Sequence, residues 1–148
     1  MNMANVEPFA GAKMALYIGD RLATILRDDL PGLPYAGQWD LPGGGREGGE
    51  TAFACVQREC MEELGLWVTE QDLLWEHGFV ADGQEKWFFV AALPAAAADE
   101  VVFGDEGQRW ELMREEAFLS HPGAVGFLQE RVRWWCEIRG QTKGPPLA

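Results

Sequence analysis

Three consecutive glycines lead into a helix-forming segment near the middle of the chain, and this junction limits what the chain can fold into. It lies in the stretch WDLPGGGREGGETAFACVQRECMEELGL, residues 39–66. Residues 39–45 favour a short strand that ends in the glycines. Residues 51–64 have helical periodicity, and Gly65 follows at the position where a left-handed residue ends many helices. The sequence therefore predicts a strand, a glycine turn and a helix in immediate succession.

The predicted helix has two contrasting faces. An apolar stripe predicts its buried side and consists of Phe53, Val56, Cys60 and Leu64. Glu59, Glu62 and Glu63 cluster on an adjacent face, where like charges at helical spacing cost about a few tenths of a kcal/mol per pair. A solvated acidic face is the ordinary interpretation of such a cluster, but the glycine turn before the helix favours another.

Glycine turns and carboxylate clusters complement one another in phosphate chemistry. The backbone N–H groups of a glycine turn can surround an oxyanion, and the missing side chains permit close approach. Mg²⁺ prefers oxygen ligands and bridges carboxylates to substrate phosphates, so it would cancel the repulsion within the cluster. The junction therefore predicts a magnesium-dependent site for a phosphorylated ligand.

The same stretch resembles the signature of the Nudix hydrolase family, G-x5-E-x7-R-E-U-x-E-E-x-G-U, in which U is a bulky aliphatic residue. Gly44, Glu50 and the run from Arg58 to Leu66 fill its fixed positions in register. The one departure is Cys60, where the family has an aliphatic residue. Because cysteine packs as a small hydrophobe, we expect altered packing and unaltered chemistry. The elements before and after this Nudix signature (residues 44–66) follow the family's order, so the resemblance spans most of the chain.

The resemblance implies roles for the charged residues of the helix. Glu59, Glu62 and Glu63 would bind Mg²⁺ or Mn²⁺, and Gly43 is assigned to the same metal site. One glutamate would deprotonate the attacking water, with Glu59 and Glu62 as the catalytic candidates; because the three share a face, the sequence does not decide which one. Arg58 would assist catalysis by orienting the glutamates through ion pairs.

The remaining signature residues would shape the site. The resemblance implies that Glu50 supports the junction of loop and helix, or a second metal, and that Gly65 has a structural role at the helix end. Gly44 and Gly45 would let the backbone approach a diphosphate. The reaction implied is hydrolysis of a nucleoside diphosphate linked to another group X, in which metal ions neutralise phosphate oxygens and activate water.

Several residues outside the signature are further candidates. Arg46 and Arg27 could bind phosphate as forked donors, although each could equally be an ordinary surface arginine. Trp39 could stack on a nucleobase, but such a tryptophan more often belongs to the core. Members of the family often use one more acid to complete the metal site, and the segment FGDEGQRWEL (residues 103–112) offers three. Glu106 is favoured because its loop precedes a strand expected to line the cleft.

Composition restricts the partners. The chain has 148 residues and a net charge of −12, from 24 acidic against 12 basic residues. Such an acidic chain repels a phosphate backbone, which argues against DNA or RNA polymers and leaves a small nucleotide held through cations. The three cysteines lack metal-site spacing and predict reduced core thiols. With no signal peptide and no membrane-span run in the sequence, we expect a cytoplasmic protein.

Periodicity predicts a single α+β domain over residues 1–148. Expected are a hairpin (13–28), a strand pair (73–80 and 85–93), a short strand (108–113), a second helix (124–139), a loop (94–100) and flexible ends (1–11 and 140–148). The family resemblance implies a mixed sheet sandwiched between helices. Trp134 and Trp135 on the second helix should pack on the sheet and could contribute to a homodimer.

Only elimination reduces the number of candidate substrates. The ADP-ribose type of Nudix hydrolase carries a proline after the signature and the dinucleoside-polyphosphate type a tyrosine, and residues 66–84 contain neither. PYAGQWDLPGG does not resemble the extended motif of the coenzyme A type. What remains is a MutT-like enzyme that cleaves a nucleoside triphosphate to the monophosphate and pyrophosphate, with oxidised guanine nucleotides among the candidate substrates. The alternatives are a nucleotide-sugar or other dinucleotide pyrophosphatase, and a non-catalytic nucleotide-binding domain.

Overall fold

The structure, a computed structural model, describes residues 9–143, which form one seven-stranded mixed sheet with helices on both faces. The strands are β1 (Phe9–Ile18), β2 (Arg21–Leu26), β3 (Trp39–Asp40), β4 (Gly43–Gly45), β5 (Leu73–Ala81), β6 (Gln84–Leu93) and β7 (Arg109–Arg114). The helices are α1 (Ala52–Leu64), α2 (Glu115–Ser120) and α3 (Gly126–Lys143), with short 3-10 helices at Glu70–Asp72 and Ala95–Glu100. This is the predicted α+β class.

The central strand β1 positions the glycine turn. It pairs in parallel with β6 along its length, antiparallel with β2 at its C-terminal end, and antiparallel with β4 near its N-terminal end. Lys13 lies opposite Gly43 and Gly11 lies opposite Gly45. The glycines are therefore fixed as a strand against the middle of the sheet, and α1 begins a few residues later.

The sheet separates two hydrophobic cores. On one face, α1 packs its predicted stripe against β1 and β6, with Val56, Cys60 and Leu64 fully buried and Phe53 partly buried against Phe89. On the other face, α2 and α3 pack against the sheet. Burial on both faces explains why the middle of β1 is almost continuously apolar.

Both ends of α1 are capped, and the cap at Gly65 was predicted from the sequence. The Thr51 hydroxyl accepts a hydrogen bond from the Ala54 N–H at 3.1 Å, which satisfies one of the first free donors of the helix. Gly65 has a φ of +68° and donates its N–H to the Met61 carbonyl at 3.0 Å. The direction in which α1 leaves the glycine turn is thus set by local residues.

The sequence-based elements need three corrections. Residues 39–45 form two strands, because Pro42 has no N–H to donate to a ladder and the chain changes partner there, from β2 to β1. Most of the predicted loop 94–100 is a 3-10 helix. Helix α2 was not predicted, since six residues are too few to show a helical period.

The sequence also led to predictions for the chain ends and for the tryptophan pair of α3. Residues 9–11 belong to β1 and 140–143 to α3, while 1–8 and 144–148 of the ends expected to be flexible lie outside the described residues. Trp135 is buried and Trp134 packs edge-on against Phe79. The homodimer stays a prediction.

The cysteines are free, as predicted. Cys55 and Cys60 are buried in the core beside α1, and Cys136 is partly buried beside the second core. Within residues 9–143, no helix combines the length and apolar character needed to cross a membrane.

Candidate active site

An acidic cavity of about 290 Å³ opens beside the C-terminal half of α1. We call it the acidic cavity; its lining residues are Glu59, Glu62, Glu63, Asp105 and Glu106. The first three come from α1 and the last two from the loop before β7. The structure therefore brings together the three signature glutamates and the favoured outside acid, and it adds Asp105. All five side chains offer only oxygen atoms.

Arg58 ties several of the surrounding groups together. Its Nε and Nη2 donate to the two carboxylate oxygens of Glu50 at 3.1 and 2.9 Å, a bidentate and charge-assisted pair. Nη1 lies 3.3 Å from Glu59 Oε2 and 3.2 Å from Glu62 Oε1. Nη2 also donates to the Gly45 carbonyl at 3.0 Å. One guanidinium thus connects β4, the loop before α1 and two glutamates of the acidic cavity.

The ionisation of the glutamates follows from these contacts. The hydrogen bond from Arg58 holds the pKa of Glu50 below its usual range. Burial raises the pKa of Glu63 to about 8, against the opposing effects of Lys13 and of the Gly43 N–H, which donates to Glu63 Oε1 at 2.9 Å. Burial also raises the pKa of Glu59, opposed by Arg58. A divalent cation in the cavity would favour the ionised forms of both.

Strand β4 passes directly beneath the carboxylates. A Cβ added to Gly44 would lie 2.4 Å from Glu59 Oε2. At Gly43, whose φ is +135°, a Cβ would lie 2.2 Å from the Ala12 carbonyl oxygen. At Gly43 the added atom meets backbone, so glycine is required there for β4 to lie against β1. At Gly44 it meets the Glu59 carboxylate, which would have to move.

The donors fit a hard divalent cation. Carboxylate oxygens, together with the carbonyl of Gly43, are the ligand type that Mg²⁺ and Mn²⁺ prefer. Among residues 9–143, no three acidic, histidine or cysteine side chains already converge closely enough to enclose a metal ion. The reason is visible in the contacts, because Arg58 attracts Glu59 and Glu62 while the Gly43 N–H holds Glu63. Glu59, Glu62 and Glu63 are the α1 side chains that would hold such a cation.

A buried ion cluster beside the acidic cavity was missed by the sequence-based reasoning. Asp40 accepts from Lys13 Nζ at 3.0 Å and from Arg27 Nη1 at 2.9 Å. Lys13 also donates to the carbonyl of Gly43 at 3.2 Å. The available signal was a lysine and an aspartate next to buried strand positions, because charged residues are rarely buried without a partner.

Among the arginines and the tryptophan predicted for the site, one residue lines a cavity beside the acidic cavity and the other two lie elsewhere. Arg27 lines a small cavity of about 80 Å³ that shares Glu63 and Glu106 with the acidic cavity. Arg46 lies over the Phe9 ring, 5.1 Å from its centroid, and does not line the acidic cavity. Trp39 is only 6% exposed and belongs to the core beside α3.

Comparisons with known proteins agree with this arrangement. A model of the NUDIX domain matches residues 21–135. No curated protein sequence matches the chain. Among solved structures, the MutT protein from Methanosarcina mazei Go1 is 18% identical, with 90% of this chain and 96% of that chain covered and a TM-score of 0.70.

Two further solved structures are similar in fold. A bifunctional NMN adenylyltransferase/ADP ribose pyrophosphatase from Francisella tularensis, complexed with AMP and a Mn ion, is 16% identical over 90% of this chain and 42% of that chain, with a TM-score of 0.73. The E. coli dihydroneopterin triphosphate pyrophosphohydrolase is 20% identical over 90% of this chain and 99% of that chain, with a TM-score of 0.62.

Identities this low show a shared fold and no more. The NUDIX domain match, however, covers most of the chain and includes the whole signature, together with α1, the glycine strand and all five residues of the acidic cavity. The chain therefore belongs to the Nudix family of hydrolases.

Proposed function

We propose that this protein uses Mg²⁺ or Mn²⁺ to hydrolyse a nucleoside diphosphate linked to another group, and that this substrate is a nucleoside triphosphate cleaved to the monophosphate and pyrophosphate. The observation that carries the proposal is the acidic cavity, which carboxylates from α1 and from the loop before β7 line together beside the glycine strand β4. A site of this kind suits a polyphosphate bridged by divalent cations.

Each group in the site has a proposed task. Glu59, Glu62 and Glu63, with Glu106 and the carbonyl of Gly43, would hold the cation. When bound, the cation neutralises phosphate oxygens and lowers the pKa of water. One of the α1 carboxylates accepts the proton as water attacks phosphorus and the bond to the pyrophosphate oxygen breaks. The three carboxylates would titrate as a coupled set.

Arg58 and the glycines would act without touching the reacting atoms. Arg58 is a positioning residue, because its guanidinium fixes Glu50 and reaches both Glu59 and Glu62. Gly44 and Gly45 would let the phosphate chain approach the backbone of β4. Arg27, beside Glu63 and Glu106 in the small cavity, remains a candidate phosphate contact. Arg46 and Trp39 are weaker candidates, since neither faces the acidic cavity.

The triphosphate assignment rests on elimination within the family. The residues after the signature lack the proline and tyrosine of two other substrate types. One structural relative is named for a triphosphate and another for ADP-ribose, so the fold itself accommodates both. We place the activity in the cytoplasm, where nucleoside triphosphates are present and free cysteines remain reduced.

A substrate panel tests the proposal. Nucleoside and deoxynucleoside triphosphates, 8-oxo-dGTP, ADP-ribose and UDP-glucose are incubated with Mg²⁺ or Mn²⁺, and chromatography quantifies monophosphate and pyrophosphate. We expect triphosphates to be the best substrates and Glu62→Gln to lower turnover by about a hundredfold or more. Glu116→Gln, an exposed change on α2, is the matched control. If no nucleoside diphosphate derivative is cleaved with either metal, or if Glu62→Gln keeps turnover within a few-fold of wild type, the proposal is wrong.

A further inference from the structure

A second cavity, of about 260 Å³, lies between the sheet and α3. Its lining comes from β1, β4, β6 and α3, and its charged members are Lys13, Lys86 and Arg131. None of the described residues that line it is acidic. The rest of the lining is uncharged, and finding only cations among its charged residues is notable on a chain with a net charge of −12. We call this space the cationic cavity.

Arg131 is the most unusual residue in the cationic cavity. It is only 6% exposed. Its guanidinium carbon lies 4.5 Å from the ring centroids of both Phe79 and Phe127, which attract a cation but do not satisfy a fork of five N–H donors. Among residues 9–143, no carboxylate pairs with it at salt-bridge distance and no acceptor receives a hydrogen bond from it. Burying such a charge costs free energy that a bound anion would recover.

The charge of Arg131 persists at neutral pH. Burial lowers the pKa of the Arg131 guanidinium to about 10, partly offset by the neighbouring Glu130. Lys86 is partly buried on β6 and makes no ion pair with a described residue. Lys13 lines the cavity too, but its ammonium is already paired with Asp40. Arg131 and Lys86 therefore supply the uncompensated positive charge.

The cationic cavity and the acidic cavity meet at one strand. Gly44 and Gly45 line the cationic cavity, and Gly44 also lies directly against the Glu59 carboxylate. A ligand whose diphosphate lies over β4 beside the carboxylates can therefore extend its next group into the cationic cavity.

We propose that the cationic cavity binds an oxyanion carried by group X, the part of the substrate beyond the cleaved diphosphate. This inference rests on the proposed function and narrows its substrate class. The γ-phosphate of a nucleoside triphosphate qualifies, and so does the carboxylate of a sugar acid. A neutral sugar does not, because it leaves the buried guanidinium without a counter-charge. Arg131 is then the specificity-determining residue, forming a charge-assisted pair with the oxyanion.

Binding of inorganic phosphate in EDTA tests the cavity apart from catalysis. Without divalent cations the acidic cavity repels the probe, so saturable binding reports the cationic cavity. We expect amide shifts in ¹H–¹⁵N spectra to be confined to β4, β6 and α3, and Arg131→Met to weaken binding by about tenfold. Arg133→Met, an exposed change on the same helix, should bind as wild type. Because Arg131→Met removes a desolvated charge, the melting temperature of this variant should not fall below that of wild type. If it falls, Lys86→Met is used in its place to test phosphate binding.

Matched substrates distinguish the two sources of the oxyanion. UDP-glucuronate and UDP-glucose differ by one carboxylate, and UTP places a phosphate there. Arg131→Met should raise KM about tenfold for UTP, UDP-glucuronate or both, and leave KM for UDP-glucose unchanged. An equal effect on UDP-glucose, or phosphate binding that is absent or unaltered in Arg131→Met, would overturn the inference even if hydrolysis is observed. Arg131-dependent phosphate binding without any hydrolysis would support the cavity and reject the proposed function.

Discussion

Asp40 is a buried carboxylate whose contribution to stability depends on the two cations beside it. Its side chain is 8% exposed and is held by Lys13 on one side and Arg27 on the other. Breaking a buried ion pair by removing one partner is costly, since the remaining charge is left without compensation. Lys13 also donates to the Gly43 carbonyl, so it links this cluster to the backbone of the proposed metal site.

Lys13→Met should therefore lower the free energy of unfolding by about 2–3 kcal/mol, because Arg27 alone then compensates Asp40. Urea denaturation monitored by tryptophan fluorescence measures the change. Lys86→Met is the control, since Lys86 has no ion pair among the described residues, and it should alter stability by less than about 0.5 kcal/mol. Equal effects of the two substitutions would show that the Lys13–Asp40 pair contributes nothing specific.

Residues of the signature could be located from the sequence, whereas the Asp40 cluster could not. The spacing of Glu59, Glu62 and Glu63 on a helix depends only on the 3.6-residue period. The contact between Lys13 and Asp40 depends on the pairing of β3 with β2 and of β4 with β1, which no local pattern encodes. The burial of Trp39 is set in the same way, by its pairing with β2 and its packing beneath α3.

At the scale of elements, the close approach of β4 to α1 makes a direct prediction. The methyl group added by Gly44→Ala would lie only 2.4 Å from Glu59 Oε2, so the carboxylate must move. We expect turnover to fall at least about tenfold while the fold persists, as judged by circular dichroism and steady-state kinetics. Gly49→Ala is the matched control, because nothing lies within 4 Å of its added Cβ. Normal activity in Gly44→Ala would contradict the proposed geometry.

The ion pair that joins the loop to α1 predicts a pH dependence. The folded-state pKa of Glu50 is lowered, first by its hydrogen bond from Arg58. The ionised carboxylate of Glu50 therefore stabilises the fold fully above its unfolded-state pKa of about 4.5. This stabilisation is lost as the pH falls through the folded-state pKa. The stability difference between wild type and Glu50→Gln should be constant near neutral pH and shrink below about pH 4.5.

Urea titrations at several pH values measure that difference. Glu47→Gln is the control, because Glu47 also lies near Arg58, at 3.4 Å, but its side chain is 70% exposed against 15% for Glu50. Solvent screens such a pair, so its contribution should be small throughout. A Glu50→Gln difference that grows on acidification would show that the ion pair between Glu50 and Arg58 does not act through the ionised carboxylate.

Elements with strong local signals were predictable, and those defined by pairing were not. Helix α1 begins at a threonine cap and ends at a left-handed glycine, so its bounds followed from the sequence within one residue. The division of residues 39–45 into β3 and β4 depends on two different neighbouring strands. Helix α2 has too few residues for its apolar spacing to be recognised.

The whole molecule places an acidic and a cationic cavity close to one glycine strand, β4. The acidic cavity contains five carboxylates, and the cationic cavity contains Arg131 and Lys86. On a chain with a net charge of −12, an anionic substrate is repelled at long range unless cations accompany it. Divalent metal would thus admit the substrate as well as activate water, and the cationic cavity would select what lies beyond the diphosphate.

The central claim is that the carboxylates of α1 form a cation site, and titration with Mn²⁺ tests it most directly. Free Mn²⁺ is followed by electron paramagnetic resonance as it is added to the metal-free protein, with no nucleotide present. We predict saturable binding to wild type and to the control Glu116→Gln, and at least about tenfold weaker binding to Glu59→Gln, which removes one oxygen ligand charge. Equal Mn²⁺ affinity in all three proteins would contradict the account.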